Sequence, residues 1–250
     1  DNVIDLNYYP MKEAEITAKK YRSVGLWFLW LAEYLAVNKI AYDSGEAREI
    51  VDKLMEKFAF EIFKSSCELA KVRWKYELFD WSEYSKWIII WKDKAWFKAN
   101  SEIALEWEKL IDDIQKNGLR FAYHIAPAPN TSTAWVVWTT AAVLPIYKKY
   151  FVETNAVAPS VVVAPNLNSE NFWYYKEYVN MNMNDVIDMM AVIYKWIDQS
   201  ASFEWIINPA KVSPKELYEY YLKAHKQGIK TVYYVRSMSL EVKECVSCSG

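Results

Sequence analysis

From Glu46 to Arg73, the apolar residues Ala47, Val51, Leu54, Phe58, Ile62 and Leu69 recur at helical spacing among charged neighbours. This pattern predicts one long amphipathic helix behind Ser44 and Gly45, with Cys67 on or near its packed side. A second helix is predicted from Ser101 to Asn117. Ile103, Trp107, Leu110, Ile111 and Ile114 share one face there, and Gly118 supplies the stop. Asn184 and Asp185 open another that runs to about Trp196, with Val186, Met189, Met190 and Ile193 inward. The best-marked start is Ser213-Pro-Lys-Glu216, where a serine cap, a proline at the first helical position and a glutamate three residues after the cap form a capping box; Gly228 is the expected end.

The middle of the chain changes character. Phe121 to Ala126 and Ser160 to Ala164 are short apolar runs bounded by proline and asparagine, and they read as buried strands of a mixed or parallel sheet. The uncharged run from Ile125 to Tyr147 is long enough to span a bilayer, but Pro127, Pro129, Asn130 and Pro145 interrupt it; a buried loop and strand is the expectation. Ile229 to Arg236 reads as a further strand and the residues after it as a loosely held tail. With no internal repeat and no low-complexity linker, the fold class is α/β, in one continuous unit over 1–236 followed by a tail over 237–250.

Composition narrows the function classes. Thirty basic and 32 acidic residues, interspersed along the chain, leave a net charge of -2, which argues against a nucleic-acid partner. Three cysteines cannot all pair, so a disulfide-stapled secreted domain is not expected and a reducing, cytoplasmic setting is. The sequence opens on Asp1-Asn-Val-Ile-Asp-Leu without a basic segment leading into an apolar one, and it reads as beginning mid-protein. Five glycines stand against thirteen tryptophans, about a third of the usual glycine share.

Two of the three cysteines, Cys245 and Cys248, lie together at the C-terminus. Their spacing is shared by zinc knuckles and by dithiol-disulfide centres. Zinc needs two more ligands, and the two histidines, His124 and His225, are not spaced to supply them. Exchange with an external dithiol suits an exposed, mobile pair better. Tyr233 and Tyr234 are adjacent in a strand-like segment, where neighbours face opposite ways, so stacked rings there would require a local distortion. Pro129-Asn130-Thr131-Ser132-Thr133 offers consecutive amides and three hydroxyls, able to hold phosphate oxygens if the amides converge. Trp196-Ile-Asp198-Gln199-Ser200 ends a helix, and periodicity gives it no role beyond capping.

Taken in order, these segments resemble the C-terminal third of the large, catalytic subunit of class I ribonucleotide reductase. Arg22-Ser-Val-Gly25 with Leu31-Ala-Glu33-Tyr34 is similar to the family's Arg-x-x-Gly-Ile-Gly region. Ala126 to Ala134 is similar to its substrate-phosphate loop, Trp196 to Ser200 to its Phe-Ile-Asp-Gln-Ser signature, and Lys230-Thr-Val-Tyr233-Tyr234 to its radical strand. Glu244-Cys-Val-Ser-Cys-Ser-Gly250 resembles its reducing tail. The resemblance implies the C-terminal portion of a ten-stranded α/β barrel with a flexible tail. It implies that Tyr233 and Tyr234 relay an oxidising equivalent, that residues 129–133 hold the diphosphate of a ribonucleoside diphosphate, and that Cys245 and Cys248 shuttle reducing equivalents from thioredoxin or glutaredoxin. No cofactor or metal is expected on this chain, and the dinuclear metal and radical centre is expected on a separate small subunit.

The family's radical cysteine, its Asn-x-Cys-x-Glu segment and its reducible cysteine pair precede the matched region and do not occur here, so a split large subunit with its N-terminal part on a companion chain is the expectation. Trp27, Trp30, Trp87 and Trp138 stand where the family pattern has glycine, and a tryptophan costs ~1 kcal/mol or more wherever φ is positive. Trp135 and Trp138, just behind the loop, are expected to crowd it. A non-catalytic scaffold derived from the same fold, and a small thiol-redox or zinc protein using only the tail, are the alternatives.

Overall fold

The computed structural model describes residues 1–89, 103–154 and 159–237. They form two compact units that interleave along the chain. One holds the described residues of Asp1–Trp27, Val51–Ala126 and Lys195–Ser200; the other holds those of Phe28–Ile50, Pro127–Tyr194 and Ala201–Gly250. No helix among the described residues is long and apolar enough to cross a membrane.

The first unit begins with α1 (Asn2–Leu6) and α2 (Lys12–Tyr21). Arg22 closes α2 in a left-handed conformation, and its guanidinium is held by Asp1 and Asp5 at 2.5 and 2.8 Å. The unit's main helices are the greater part of α4 (Gly45–Arg73) and α5 (Ala104–Asn117). The helix expected from the α4 pattern is present, but its buried seam is Ala47, Val51, Met55, Ala59, Phe63, Cys67 and Ala70. Leu54, Phe58, Ile62 and Leu69 are only half-buried on its flank. The sequence reading weighted large side chains, whereas small residues such as Ala59 and Cys67 mark the line along which neighbours approach. Burial pushes the Cys67 thiol up to about 11, so it is held as an inert thiol.

Helix α5 buries the face expected of it: Trp107, Leu110, Ile111 and Ile114. Trp107 meets Phe60 of α4 edge-on at 5.1 Å between ring centroids. Gly118 ends α5 at φ 76°, where a Cβ would come within 2.5 Å of the Lys75 Cβ. Only glycine fits both the backbone and the space.

In the second unit, α3 (Leu31–Val37) and α7 (Met183–Tyr194) supply most of the core through Leu31, Leu35, Val186, Met189, Met190 and Ile193. Strands β1 (Tyr150–Thr154) and β2 (Pro159–Val163) form an antiparallel hairpin, where a buried strand of a mixed or parallel sheet was expected over 160–164. Among the described residues β2 pairs only with β1, and Val161 and Val163 face solvent. Strands β3 (Glu204–Ile207) and β4 (Tyr234–Ser237) pair in parallel, with α8 (Pro214–Lys226) in the connection between them, as a parallel crossover requires. The strand expected over 229–236 is therefore shorter and displaced toward its C-terminal end.

The run from Ile125 to Tyr147 is corrected more sharply. It contains α6 (Thr131–Val137), a helix built from β-prone residues and largely exposed, with Ala134 as its buried anchor. Tertiary contacts override propensity here.

The capping box of α8 is formed as its sequence foretells. Ser213 Oγ accepts from the Glu216 amide at 3.2 Å, and Glu216 Oε2 accepts from the Ser213 amide at 2.8 Å. Replacing Ser213 with alanine is expected to destabilise the chain by about 1 kcal/mol, read as a lower urea midpoint at unchanged slope.

Candidate functional site

The Tyr233 and Tyr234 rings lie side by side, with centroids 4.2 Å apart, planes at 57° and hydroxyl oxygens 3.5 Å apart. Strand β4 begins only at Tyr234, so Tyr233 escapes the strict alternation of a pleated strand. Its amide donates to the Phe203 carbonyl at 2.8 Å, which holds it at the mouth of the β3–β4 ladder. Upstream, the Tyr194 hydroxyl accepts from the Ala201 amide at 3.1 Å and donates to the Thr231 carbonyl at 3.1 Å, tying both approach segments to α7.

Sequence reasoning missed two residues here. Arg236 lies over the Tyr234 ring, its guanidinium carbon 5.5 Å from the centroid, and it pairs with both Glu204 carboxylate oxygens at 2.8 and 3.0 Å. The signal was present in the two-residue spacing of Tyr234 and Arg236, which places them on one face of a strand. Glu204 could not be found that way, because its register opposite Tyr234 depends on the parallel pairing.

The Tyr233 phenol is held above its ordinary value, chiefly by the hydrogen bond it shares with Tyr234 and then by the charge a neighbouring phenolate would carry. A raised pKa favours the protonated form, so the Tyr233 phenol stays neutral throughout the physiological range. In a Tyr234→Phe variant, the Tyr233 titration followed by carbon NMR of labelled tyrosine is expected to move down toward the ordinary phenol value.

The Pro129–Thr133 segment forms the entry to α6. Asn130 stands at the N-cap, but its side chain does not cap the helix; Asn130 Oδ1 accepts from the Ala142 amide at 2.7 Å instead. Thr131, Ser132 and Thr133 are exposed on the first turn, where backbone N–H groups point out along the helix axis. One side of α6 walls a cavity of about 220 Å³, lined by Thr131, Trp135, Trp138, Leu144, Phe151 and Pro165 among others. The loop and the tyrosine pair both belong to the second unit and are carried by different elements. Cys245 and Cys248 lie outside the described residues.

The first unit contains a buried polar centre built on the signature whose role periodicity left open. Asp198 Oδ1 accepts from the Ile125 amide at 2.8 Å, and Oδ2 from the His124 amide at 2.8 Å, from His124 Nδ1 at 2.9 Å and from the Tyr84 hydroxyl at 3.1 Å. Burial and then the Asp198 charge hold the Tyr84 phenol well above its ordinary value. On the far side of the imidazole, Nε2 is 2.9 Å from Ser66 Oγ, which also accepts from the Arg120 and Phe121 amides at 3.1 and 3.3 Å. With its lone pairs taken, Ser66 is left to donate to Nε2, and Nδ1 is left to donate to Asp198.

The same centre explains why Phe121–Ala126 is not a regular strand. One side pairs with the chain at Val24 and Leu26, but on the other the His124 and Ile125 amides are taken by a carboxylate instead of a neighbouring strand. Gln199 adds a bond from its side chain to the Val24 carbonyl at 2.7 Å. Asp198→Asn would turn an NH₂ toward buried N–H donors and is expected to cost about 3 kcal/mol in equilibrium unfolding.

The chain belongs to the ribonucleotide reductase family: the model of the family's barrel domain matches residues 1–235. It is 37% identical to the ribonucleoside-diphosphate reductase subunit alpha of Helicobacter pylori (strain J99 / ATCC 700824), over 98% of this chain and 32% of that protein. The subunit alpha of Synechocystis sp. is 33% identical over 100% of this chain and 34% of its own length, and that of Treponema pallidum is 31% identical over 100% and 29%. The chain thus spans about a third of the length of the curated relatives it matches. The mixture of helices with short strands is a portion of this α/β barrel.

Proposed function

We propose that this chain is the C-terminal part of the catalytic subunit of a class I ribonucleoside-diphosphate reductase, active in the cytoplasm when joined by the N-terminal part of that subunit and by a radical-generating small subunit. The side-by-side rings of Tyr233 and Tyr234 carry the reading, supported by the subunit-alpha relatives that span nearly the whole chain. The metal and radical centre belongs to the small subunit and supplies the oxidising equivalent.

Within this chain, each tyrosine gives up an electron together with its phenolic proton and recovers both from the next donor, so the relay is unchanged after each passage. Arg236 suits that coupling, because a guanidinium above the Tyr234 ring disfavours a cationic ring and makes loss of the proton part of the step. The amides and hydroxyls at Thr131, Ser132 and Thr133, with Pro129 and Asn130 shaping the turn, hold the diphosphate of the ribonucleotide. Cys245 and Cys248 reduce a disulfide left in the active site, becoming a disulfide themselves, and a thioredoxin or glutaredoxin dithiol restores them. Tethering raises their effective concentration at the site.

The test is reconstitution with a companion N-terminal chain and the small subunit. Deoxynucleotide formation is expected, and Tyr233→Phe and Tyr234→Phe are each expected to abolish it; full activity in either variant would sink the relay. Cys245→Ser or Cys248→Ser is expected to leave a first turnover but stop thioredoxin-driven turnover.

A further inference from the structure

Eight non-glycine residues have positive φ among the described residues, and four of them are tryptophans: Trp30 at 74°, Trp74 at 68°, Trp87 at 66° and Trp138 at 53°. Trp27, which the sequence reading grouped with them, is not among the eight. A bulky side chain in this region is a genuine outlier, because its Cβ crowds the following carbonyl.

The four sites are also places where helices start or stop. Trp30 is the N-cap of α3, Trp74 follows the last residue of α4, Trp87 closes the 3₁₀ turn Tyr84–Lys86, and Trp138 closes α6. Two of them reproduce the bonds of a true glycine closure. At Gly228 (φ 82°), the glycine amide donates to His225 and the next amide, of Ile229, reaches back to Ala224. At Trp138 the corresponding pairs are Trp138 to Trp135 and Thr139 to Ala134; at Trp87 they are Trp87 to Tyr84 and Ile88 to Glu83. This is the Schellman closure, whose left-handed residue is most often glycine. Lys39 closes α3 in the same way, so an L-residue is tolerated, but a lysine stem is not an indole.

Burial does not offset the strain. Trp74 is 84% exposed, Trp138 51%, Trp87 48% and Trp30 37%. The tryptophans that fill the core, Trp107, Trp196 and Trp205, all lack positive φ. Composition points the same way, since a chain of this length would ordinarily hold about 17 glycines and this one has five, beside thirteen tryptophans.

We propose that positions 30, 74, 87 and 138 are glycine sites, and that the protein made in its own cell carries glycine there, inserted at UGA codons that other genetic codes read as tryptophan. UGA is a stop in the standard code, is read as tryptophan in some codes and as glycine in others. A site that combines tryptophan in the written sequence with a glycine backbone is the signature such a reassignment leaves. Trp138 lines the cavity beside α6 and Trp30 lines another beside α3, both in the second unit, so glycine at both positions would widen these spaces.

Two measurements decide this. The gene is expected to carry UGA at these four positions and UGG at 107, 196 and 205, and peptides of the protein purified from its native cell are expected to have the mass of glycine at all four. A UGG codon, or tryptophan in a native peptide, at any of the four overturns the proposal. Independently, the chain carrying Trp30→Gly, Trp74→Gly, Trp87→Gly and Trp138→Gly together is expected to unfold at a midpoint roughly 5–10 °C above the tryptophan chain. A lower midpoint overturns the strain argument on which the proposal stands.

Discussion

The Asp198 carboxylate is the constraint on which the first unit depends. It sits 3% exposed and takes two backbone amides, an imidazole and a phenol. Each of those donors would be orphaned in a dry interior without it, and the carboxylate without them would lose the hydrogen bonds that offset its burial. The centre joins four stretches remote in sequence: α4 through Ser66, the turn at Tyr84, the segment at 124–125 and the Lys195–Ser200 segment through Asp198. Hydrophobic burial alone would let these slide over one another. Directional bonds to a single charge fix their register.

The second unit reaches its geometry by a different route. The tyrosine pair is produced by where a strand begins, since Tyr234 obeys the ladder while Tyr233 stands one residue ahead of it. Arg236, two residues on, then returns to the same face and is held there by Glu204 from the neighbouring strand. An arrangement that looks like a departure from β geometry needs only a ladder that starts at the right residue.

What was legible in the sequence was local. The α8 capping box, the Gly118 stop and the buried face of α5 each depend on residues within one or two turns, so spacing exposed them. The seam of α4 was misread because burial there follows small residues, and a pattern weighted by size drifts to the flank. Helix α6 was missed because its threonines and valines favour strands, while the contacts that make it a helix, Ala134 in the core and Asn130 bonded to Ala142, come from elsewhere. Asp198 was recognised as part of a signature without a derivable role. Its partners lie 73, 74 and 114 positions away, and no periodicity reaches that far.

Ser66, His124 and Asp198 are joined in the order and at the separations of a hydrolytic triad, with the serine on one imidazole nitrogen and the carboxylate on the other. Here the set is inert. Its serine is 1% exposed and already accepts two peptide amides, so no substrate carbonyl can approach and no lone pair is left to attack one. The atoms that would make a nucleophile at the floor of a cleft act instead as a rivet when walled in. Reactivity at such a trio is decided less by the spacing of its members than by whether anything is allowed to reach them.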